Sequence, residues 1–586
     1  MKPVEKCPIR CSNSRLLFIL SLTAFLVAII GFHPDLASAG KKSFPTLVET
    51  KYGQVEGFYN TEDTIAWKSI PFAKPPVGDL RWKAPQDPDS WDGVLAAASD
   101  CEPCTQLYTT EKWIRQPVAV GSEDCLYLNI FRPNNLKKKL PVYVYIHGGS
   151  NNFGTANDYD GSVIASKSGM VVVVVQYRLG PMGWFSQPSI RNNDPLDDSG
   201  NFGTLDNIKA LEWIRDNIAA FGGNPGNVTI TGESAGAHNV MNLVITPLAS
   251  GLFHRAMSQS GGMTTKPVTY SEMMANRHVD ALLVYDHSAT DMAQAAQIRS
   301  GWSQTELAEY IMAKPAGDFF LAYLQQFKTL PTYDGVQDGY VIPGSVVSTI
   351  RSGHYNKVPI ILGVNQYETK AFMPLYGPAL GMPWYNLILV LDGVIPSVDD
   401  VLPTDLDKDL YEVTGFYGSR NWRAKFVDER ARALKEQQER VYAYQFNWGG
   451  PGSGPSPFDF IYGAAHAMDI PFFFGDNESL WGYGFNPEND TAGRVDLQIA
   501  MMAYLANFAK TGNPNGAGLP VWQKWSNRDG RSKTIIFDTN FDQALLDMSD
   551  EEVRFEDVAQ DLAAAIADWP ADYQFVANYF QWQFPE

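Results

Sequence analysis

The stretch Phe221-Gly-Gly-Asn-Pro-Gly-Asn-Val-Thr-Ile-Thr-Gly232-Glu233-Ser234-Ala235-Gly236-Ala237 constrains the rest of the chain more than any other. Val228 and Ile230 belong to a short β-branched run after a Gly/Pro/Asn loop, whereas Ala235 through Val240, Met241 and Leu243 has helical composition. A buried strand running straight into a helix through a tight turn is therefore expected, with Ser234 at the junction. In a G-x-S-x-G turn the serine is held in a strained backbone conformation, and Gly232 and Gly236 leave no side chain to strike the adjoining strand and helix. The hydroxyl then stands at the carboxyl edge of a sheet, beside a helix amino end whose free N–H groups stabilise negative charge. Five residues alone are weak evidence, because small residues are common in tight turns. The surroundings decide.

With 586 residues, 45% of them hydrophobic and 13% aromatic, the chain has the material for a large globular core. It has no Ser/Pro-rich linker, charge block or repeat, which favours one large domain with insertions. A net charge of −19 argues against nucleic acid as a partner, since a phosphate backbone would be repelled. An acidic surface attracts cationic substrates, but solubility is its simpler use.

The first residues are a separate matter. Lys2, Lys6, Arg10 and Arg15 precede an apolar run from Leu16 to Phe32, and Ala37-Ser38-Ala39 supplies small residues before Gly40. This is the pattern of an export signal. Residues 1–39 are expected to be a signal peptide and 40–586 a single domain, secreted or periplasmic, with no stable membrane span after cleavage. An uncleaved anchor is the alternative, because the apolar run is long. Cleavage leaves Cys101, Cys104 and Cys125 in an oxidising compartment, so one disulfide and one spare thiol are expected. A Cys104–Cys125 bridge would close a loop of about twenty residues and contribute roughly 3 kcal/mol. Cys101-Glu-Pro-Cys104 has no histidine nearby and makes a poor metal site.

Along the mature chain, Val48 to Gly57 alternates like an edge hairpin. Glu123 to Phe131 and Leu140 to His147 read as two strands, with Lys137, Lys138 and Lys139 at the solvated tip of a hairpin between them. His147 leads into Gly148-Gly149-Ser150-Asn-Asn-Phe153-Gly154. Met170 to Val175 is a fully apolar run suited to a strand buried on both faces, as in a parallel sheet covered by helices. Leu205 to Ile218 has apolar residues at helical spacing. Strand, helix, strand, serine turn, helix is the order of a doubly wound α/β sheet.

The sequence resembles the type-B carboxylesterase family, the cholinesterase-like branch of the α/β hydrolases, over nearly all of residues 45 to 586. Three motifs carry the resemblance: Glu123-Asp-Cys-Leu-Tyr-Leu-Asn129, Asn201-Phe-Gly-Thr-Leu-Asp206, and Phe221 to Gly236. It implies an α/β-hydrolase fold, a mostly parallel central sheet flanked by helices, with helical insertions over the active site. It also implies a serine, glutamate and histidine triad in that chain order, and a disulfide ending at the cysteine matching Cys125.

A serine hydroxyl is a poor nucleophile until a base takes its proton, and histidine suits because its ordinary pKa is near 6.5. The chain has eight histidines. His33 lies in the signal, His147 begins the glycine turn, His238 sits on the serine's own helix and would have to bend back, and His254, His278, His287 and His354 occupy polar or irregular segments. His466 remains, in a loop of small residues, and the family match at Gly463 to Asp469 gives it the catalytic role. For the acid, Val358 to Asn365 reads as a buried strand, with Glu368 just past its end, where catalytic residues of open α/β sheets gather. Glu368 would fix the histidine tautomer and stabilise the imidazolium. The family usually has Asp-Glu-Gly where this chain has Tyr367-Glu368-Thr369.

Residue matching to the family places the oxyanion-hole N–H donors at Gly149, Ser150 and Ala235, with Gly148 as a further candidate. Where relatives usually show a third glycine this chain has Ser150, whose β-carbon would narrow the acyl site. Each such donor is typically worth roughly 2.7 to 4 kcal/mol of transition-state stabilisation. Ser260 matches a family serine that supports the triad from behind. The reading is two-step acyl transfer on a small-molecule carboxylic ester, without metal or organic cofactor. The alternatives are a non-catalytic adhesion module of the neuroligin-like kind, which typically loses a triad member, and a cholinesterase. Trp113 lies where cholinesterases carry a choline-binding tryptophan, but the spacing does not match, so an aromatic lid or packing residue is the better reading. Residues 262–338 and 372–423 are expected to cover the site. Asn477-Glu-Ser479 and Asn489-Asp-Thr491 are glycosylation sequons if the host glycosylates, and Asn227-Val-Thr229 lies close to a buried strand.

Overall fold

Short, largely buried strands separated by helices and turns organise the fold. In the computed structural model, which describes residues 43–108, 117–450, 456–475 and 491–582, eleven of these strands make one sheet. In chain order they are β1 (Phe58–Asn60), β2 (Thr64–Pro71), β3 (Tyr127–Pro133), β4 (Leu140–Ile146), β5 (Val171–Val175), β6 (Gly223–Glu233), β7 (Arg255–Gln259), β8 (Ile360–Asn365), β9 (Val441–Phe446), β10 (Thr534–Thr539) and β11 (Ala544–Ser549). Their spatial order is β11-β10-β9-β8-β7-β6-β4-β5-β3-β2-β1. Every pairing from β5 across to β10 is parallel, and the pairings outside that block are antiparallel. The fold is an α/β hydrolase. The signal-peptide expectation, Trp113 and the sequons at 477 and 489 fall on residues outside those described.

Side chains on successive residues leave opposite faces of a strand, and the core divides accordingly. Val142, Val144 and Ile146 of β4 join one buried cluster with Val171, Val173 and Val175 of β5, while Tyr143, Tyr145, Val172 and Val174 belong to a second. The first is covered by α1 (Phe202–Asn217) and α2 (Ala235–Ile245), which contribute Leu211, Ile214, Val240 and Val244. Each such side chain contributes roughly 1.5 to 3 kcal/mol on full burial. Two insertions depart from this plan. One carries α3 (Val268–Tyr285) and three shorter helices, whose small core is shared with Trp82, Phe185 and Phe202, and the other ends in α4 (Asp405–Arg423). The second cluster is closed by α5 (Ala492–Thr511) through Leu497, Met501 and Phe508.

The expected hairpin between residues 123 and 147 is a correction. β3 and β4 are not partners, because β5 lies between them, parallel to β4 and antiparallel to β3. Its all-valine run is apolar on both faces, and pairing on both edges buries every residue of it. Lys137, Lys138 and Lys139 are exposed in the connection. The hairpin expected at 48–57 is present as Leu47–Thr50 against Gly53–Glu56, in a small separate sheet.

Cys104 and Cys125 form a disulfide, and Cys101 is a free, partly buried thiol. Among the described residues no helix is long and apolar enough to cross a membrane. Changing Cys104 and Cys125 together to serine should lower stability by about 3 kcal/mol, from the loop the bridge closes. Denaturant titration checks this, and a midpoint equal to wild type would contradict it.

Candidate active site

Ser234 sits between β6 and α2 at φ 56° and ψ −124°, far from the conformations L-residues prefer. The turn closes only because its neighbours lack side chains. A β-carbon on Gly236 would lie 2.0 Å from the carbonyl oxygen of Ile146, and one on Gly232 would lie 2.5 Å from the Gly236 carbonyl carbon. The Ser234 amide donates to the Gln259 carbonyl (2.9 Å), which ties the elbow to the end of β7. Ser234 itself is only partly buried.

Glu368 follows β8 by a short turn and is fully buried. Its Oε1 accepts from the Asn365 amide (2.6 Å), and its Oε2 lies 2.5 Å from His466 Nδ1. An isolated bridge between Tyr367 and Ala465, with the Tyr367 amide donating to the Ala464 carbonyl (2.9 Å), lashes the acid turn to the histidine loop. Glu368 and His466 thus lie on two loops that meet. The rings of Phe372 and Trp422, one from each end of the second insertion, lie 5.0 and 5.2 Å from the imidazole centroid.

The third contact is different. His466 Nε2 has no hydrogen-bond partner among the described residues; it lies 3.0 Å from Oε1 of Glu233, the residue before the serine. Glu233 and Ser234 share one neighbourhood, since a β-carbon on Gly148 would stand 3.1 Å from both Glu233 Oε2 and Ser234 Cβ. Catalytic hydrogen bonds of this kind commonly tighten only once substrate closes the site. Ser260 is buried, but its hydroxyl has no hydrogen-bond partner among the described residues, so it makes no bond to the Glu368–His466 pair.

Two carboxylates that sequence reasoning did not single out surround the histidine. Asp469 is buried and accepts from Tyr444 Oη (2.5 Å), Gln259 Nε2 (3.2 Å) and Asn365 Nδ2 (3.4 Å). Burial raises the carboxyl of Asp469, and raises that of Glu233 to about 8. Burial alone would lower His466, but the negative charges of Glu233, Glu368 and Asp469 outweigh it and raise the imidazole to about 9. When Glu233 holds its proton, the largest of those charges disappears and the imidazole moves back toward a neutral base. Asp469, three residues past His466, stood inside the matched segment; Glu233 stood in the serine motif itself.

A buried lysine was also missed. Lys370, two residues past the acid, is fully buried and donates to Glu412 Oε1 (2.6 Å) and the Phe460 carbonyl (2.7 Å). The rings of Tyr367, Tyr411 and Phe460 surround its ammonium at 4.3, 5.5 and 5.4 Å. It thereby joins the acid turn, α4 and the segment leading to His466.

At the other side of the serine, the glycine turn after β4 brings Gly149 (φ 101°), Ser150 and Asn151 (both φ 56°) past the elbow. A β-carbon on Gly149 would meet the Phe153 carbonyl oxygen at 2.0 Å. The amides of Gly149, Ser150 and Ala235 have no backbone acceptor among the described residues.

A sequence model described as the carboxylesterase family matches residues 45–383 and 405–555. The chain belongs to the carboxylesterase family. It is 32% identical to liver carboxylesterase 1 of Mus musculus over 561 residues, covering 88% of this chain and 92% of that protein. It is 33% identical over 549 residues to the medium-chain fatty acyl-CoA hydrolase precursor of Anas platyrhynchos, covering 87% and 91%. Among solved structures, the Geobacillus stearothermophilus carboxylesterase EST55 aligns with a TM-score of 0.64 at 30% identity, over 86% of this chain and 98% of that one. A PNB esterase aligns with a TM-score of 0.67 at 27% identity, over 89% and 99%. This carboxylesterase is thus a carboxylic ester hydrolase, and the adhesion-module alternative falls.

Glu233→Gln should move the acidic limb of kcat/KM to lower pH. When ionised, Glu233 holds a proton on His466, and the glutamine removes that charge at every pH, so the imidazole loses its proton at lower pH. A pH–rate profile checks the direction, and an upward shift would contradict it.

Proposed function

We propose that this carboxylesterase works through an acyl-enzyme on Ser234, with His466 as base and then acid and Glu368 as its orienting carboxylate. The observation that carries the reading is the buried 2.5 Å contact between Glu368 Oε2 and His466 Nδ1, one loop away from a serine in an elbow conformation. With Nδ1 committed to Glu368, Nε2 is the nitrogen left for the serine proton. In the first step Ser234 Oγ attacks the ester carbonyl carbon while Nε2, leaving its position opposite Glu233, takes the hydroxyl proton. Nε2 then protonates the departing alcohol, and water, activated by the same imidazole, releases the acid and restores the serine. The amides of Gly149, Ser150 and Ala235 would hold the oxyanion, at the amino end of α2 where the helix dipole adds to them.

Phe372 and Trp422 stand against the imidazole and give the site an aromatic wall, which suits an apolar acyl or alcohol group over a charged one. The basic and apolar leader, together with the Cys104–Cys125 disulfide, supports export to an oxidising compartment.

Ser234→Ala should abolish hydrolysis of a p-nitrophenyl ester, and labelling by a serine-directed organophosphate, without shifting the melting temperature by more than about a few degrees. Retained turnover in the folded variant would remove Ser234 from the mechanism.

A further inference from the structure

Ser150 and Asn151 are consecutive non-glycine residues in the left-handed region, which L side chains avoid. The turn closes locally when the amides of Asn152 and Phe153 both donate to the Gly149 carbonyl (2.9 and 3.0 Å). What fixes it relative to the rest of the site is the side chain of Asn151, which is fully buried. Its Nδ2 donates to the carbonyl of Tyr333 (2.8 Å). Its Oδ1 accepts from Asn239 Nδ2 (2.9 Å) and from Tyr177 Oη (3.3 Å), whose hydroxyl also reaches the His147 carbonyl (2.7 Å). Its own carbonyl accepts from the Gly180 amide (2.6 Å).

These partners come from three places. Asn239 lies on α2, five residues past the serine; Tyr177 and Gly180 follow β5; Tyr333 belongs to the strap that leaves the first insertion. The strap is tied twice more, once to the glycine turn itself and once to α2. Asn152 Nδ2 donates to the Pro331 carbonyl (2.8 Å), and Asp334 pairs with His238 of α2, both of them buried. A loop with two residues in a disfavoured conformation has thus been tied by amide side chains to the helix that supplies the remaining oxyanion donor. A low-dielectric interior makes such a network stiff, because each broken bond would leave a buried polar group unmet.

We propose that Asn151 is the positioning residue of the oxyanion hole: it locks the amides of Gly149 and Ser150 to α2, so that these donors and the Ala235 amide keep one geometry. The inference rests on the oxyanion assignment made above, and it extends that assignment to a residue that does not touch substrate. Because the hole engages an oxyanion and not the ground-state carbonyl, Asn151 acts on turnover and not on substrate binding.

The test is Asn151→Leu, which keeps the size and removes the hydrogen bonds of the side chain. Hydrolysis of p-nitrophenyl acetate should lose roughly 10- to 100-fold in kcat, with KM within about twofold of wild type. A trifluoromethyl ketone, which adds to serine as a hemiketal oxyanion, should lose affinity by a similar factor. Wild-type kcat and ketone affinity in the folded variant would overturn the proposal, as would a fall in kcat with the ketone affinity unchanged. Should Asn151→Leu not fold, Asn239→Ala and Tyr177→Phe carry the test: each is expected to lower kcat and ketone affinity together, and wild-type values in both overturn it. Ser234→Ala, run beside them, separates the two levels. Turnover by that variant removes the underlying mechanism, whereas an inert Ser234→Ala beside a fully active Asn151→Leu removes only the role of Asn151.

Discussion

A serine at φ 56° is not held there by its own turn; strain of this kind costs on the order of 1 to 3 kcal/mol and persists only where the surroundings over-determine it. The surroundings here are a parallel sheet. β6 is paired on one side with β4 and on the other with β7, so the end of the strand is fixed laterally before the chain turns into α2. The turn then passes so close to the end of β4 that the Ile146 carbonyl oxygen occupies the space a Gly236 side chain would need. The same approach that excludes a side chain brings the glycine turn after β4 against the serine, because Ile146 is the last residue of that strand. The elbow and the turn opposite it are therefore two consequences of one inter-strand register.

The parallel register also explains why the acid and the histidine meet. β8 and β9 continue the block, and their carboxyl ends deliver Glu368 and the chain leading to His466 to the same edge of the sheet. Into this edge the protein crowds Glu233, Glu368 and Asp469, all buried, around one imidazole. Like charges at such density cannot all be ionised, and burial pushes at least Glu233 and Asp469 toward their protonated forms. Asp469 is the better satisfied of those two, through Tyr444, Gln259 and Asn365. Among the described residues Oε1 of Glu233 has no hydrogen-bond partner, and His466 is the cation that faces it. Glu233 is the carboxylate that faces Nε2 of His466, so its protonation and that of the imidazole are coupled.

What was legible in the sequence was local. The strand-turn-helix around Ser234 is written in β-branched, glycine and helix-forming residues within one short segment, and the chain folds that way. Glu368 is marked by its place just past a buried strand. Which strands are neighbours is not written that way: the residues of β3 and β4 alternate convincingly, and the short connection between them invited a hairpin. It took the insertion of β5, later in the chain and apolar on both faces, to separate them. Nothing local marks Glu233 and Asp469 as buried, because their burial depends on segments far away in sequence. The burial of Lys370 is not legible locally either, since Glu412, Tyr411 and Phe460, which close around its ammonium, lie far along the chain.

Ser150 was expected from sequence to matter through its β-carbon, which would narrow the acyl site. The larger consequence of that departure lies one residue on. A glycine reaches the left-handed region without help, whereas a serine followed by an asparagine reaches it only if something else makes that conformation the better one. Asparagine tolerates the region more than most residues and brings an amide that can be satisfied on both sides. In this fold it is satisfied, by Tyr333 on one side and by Asn239 and Tyr177 on the other. Conformational freedom has been exchanged for external bracing, and the bracing reaches the helix that follows Ser234. A turn stabilised from within could drift as a unit against that helix. One stabilised by a buried amide shared with it cannot do so without leaving polar groups unpaired, and that stiffness is what a fixed oxyanion site requires.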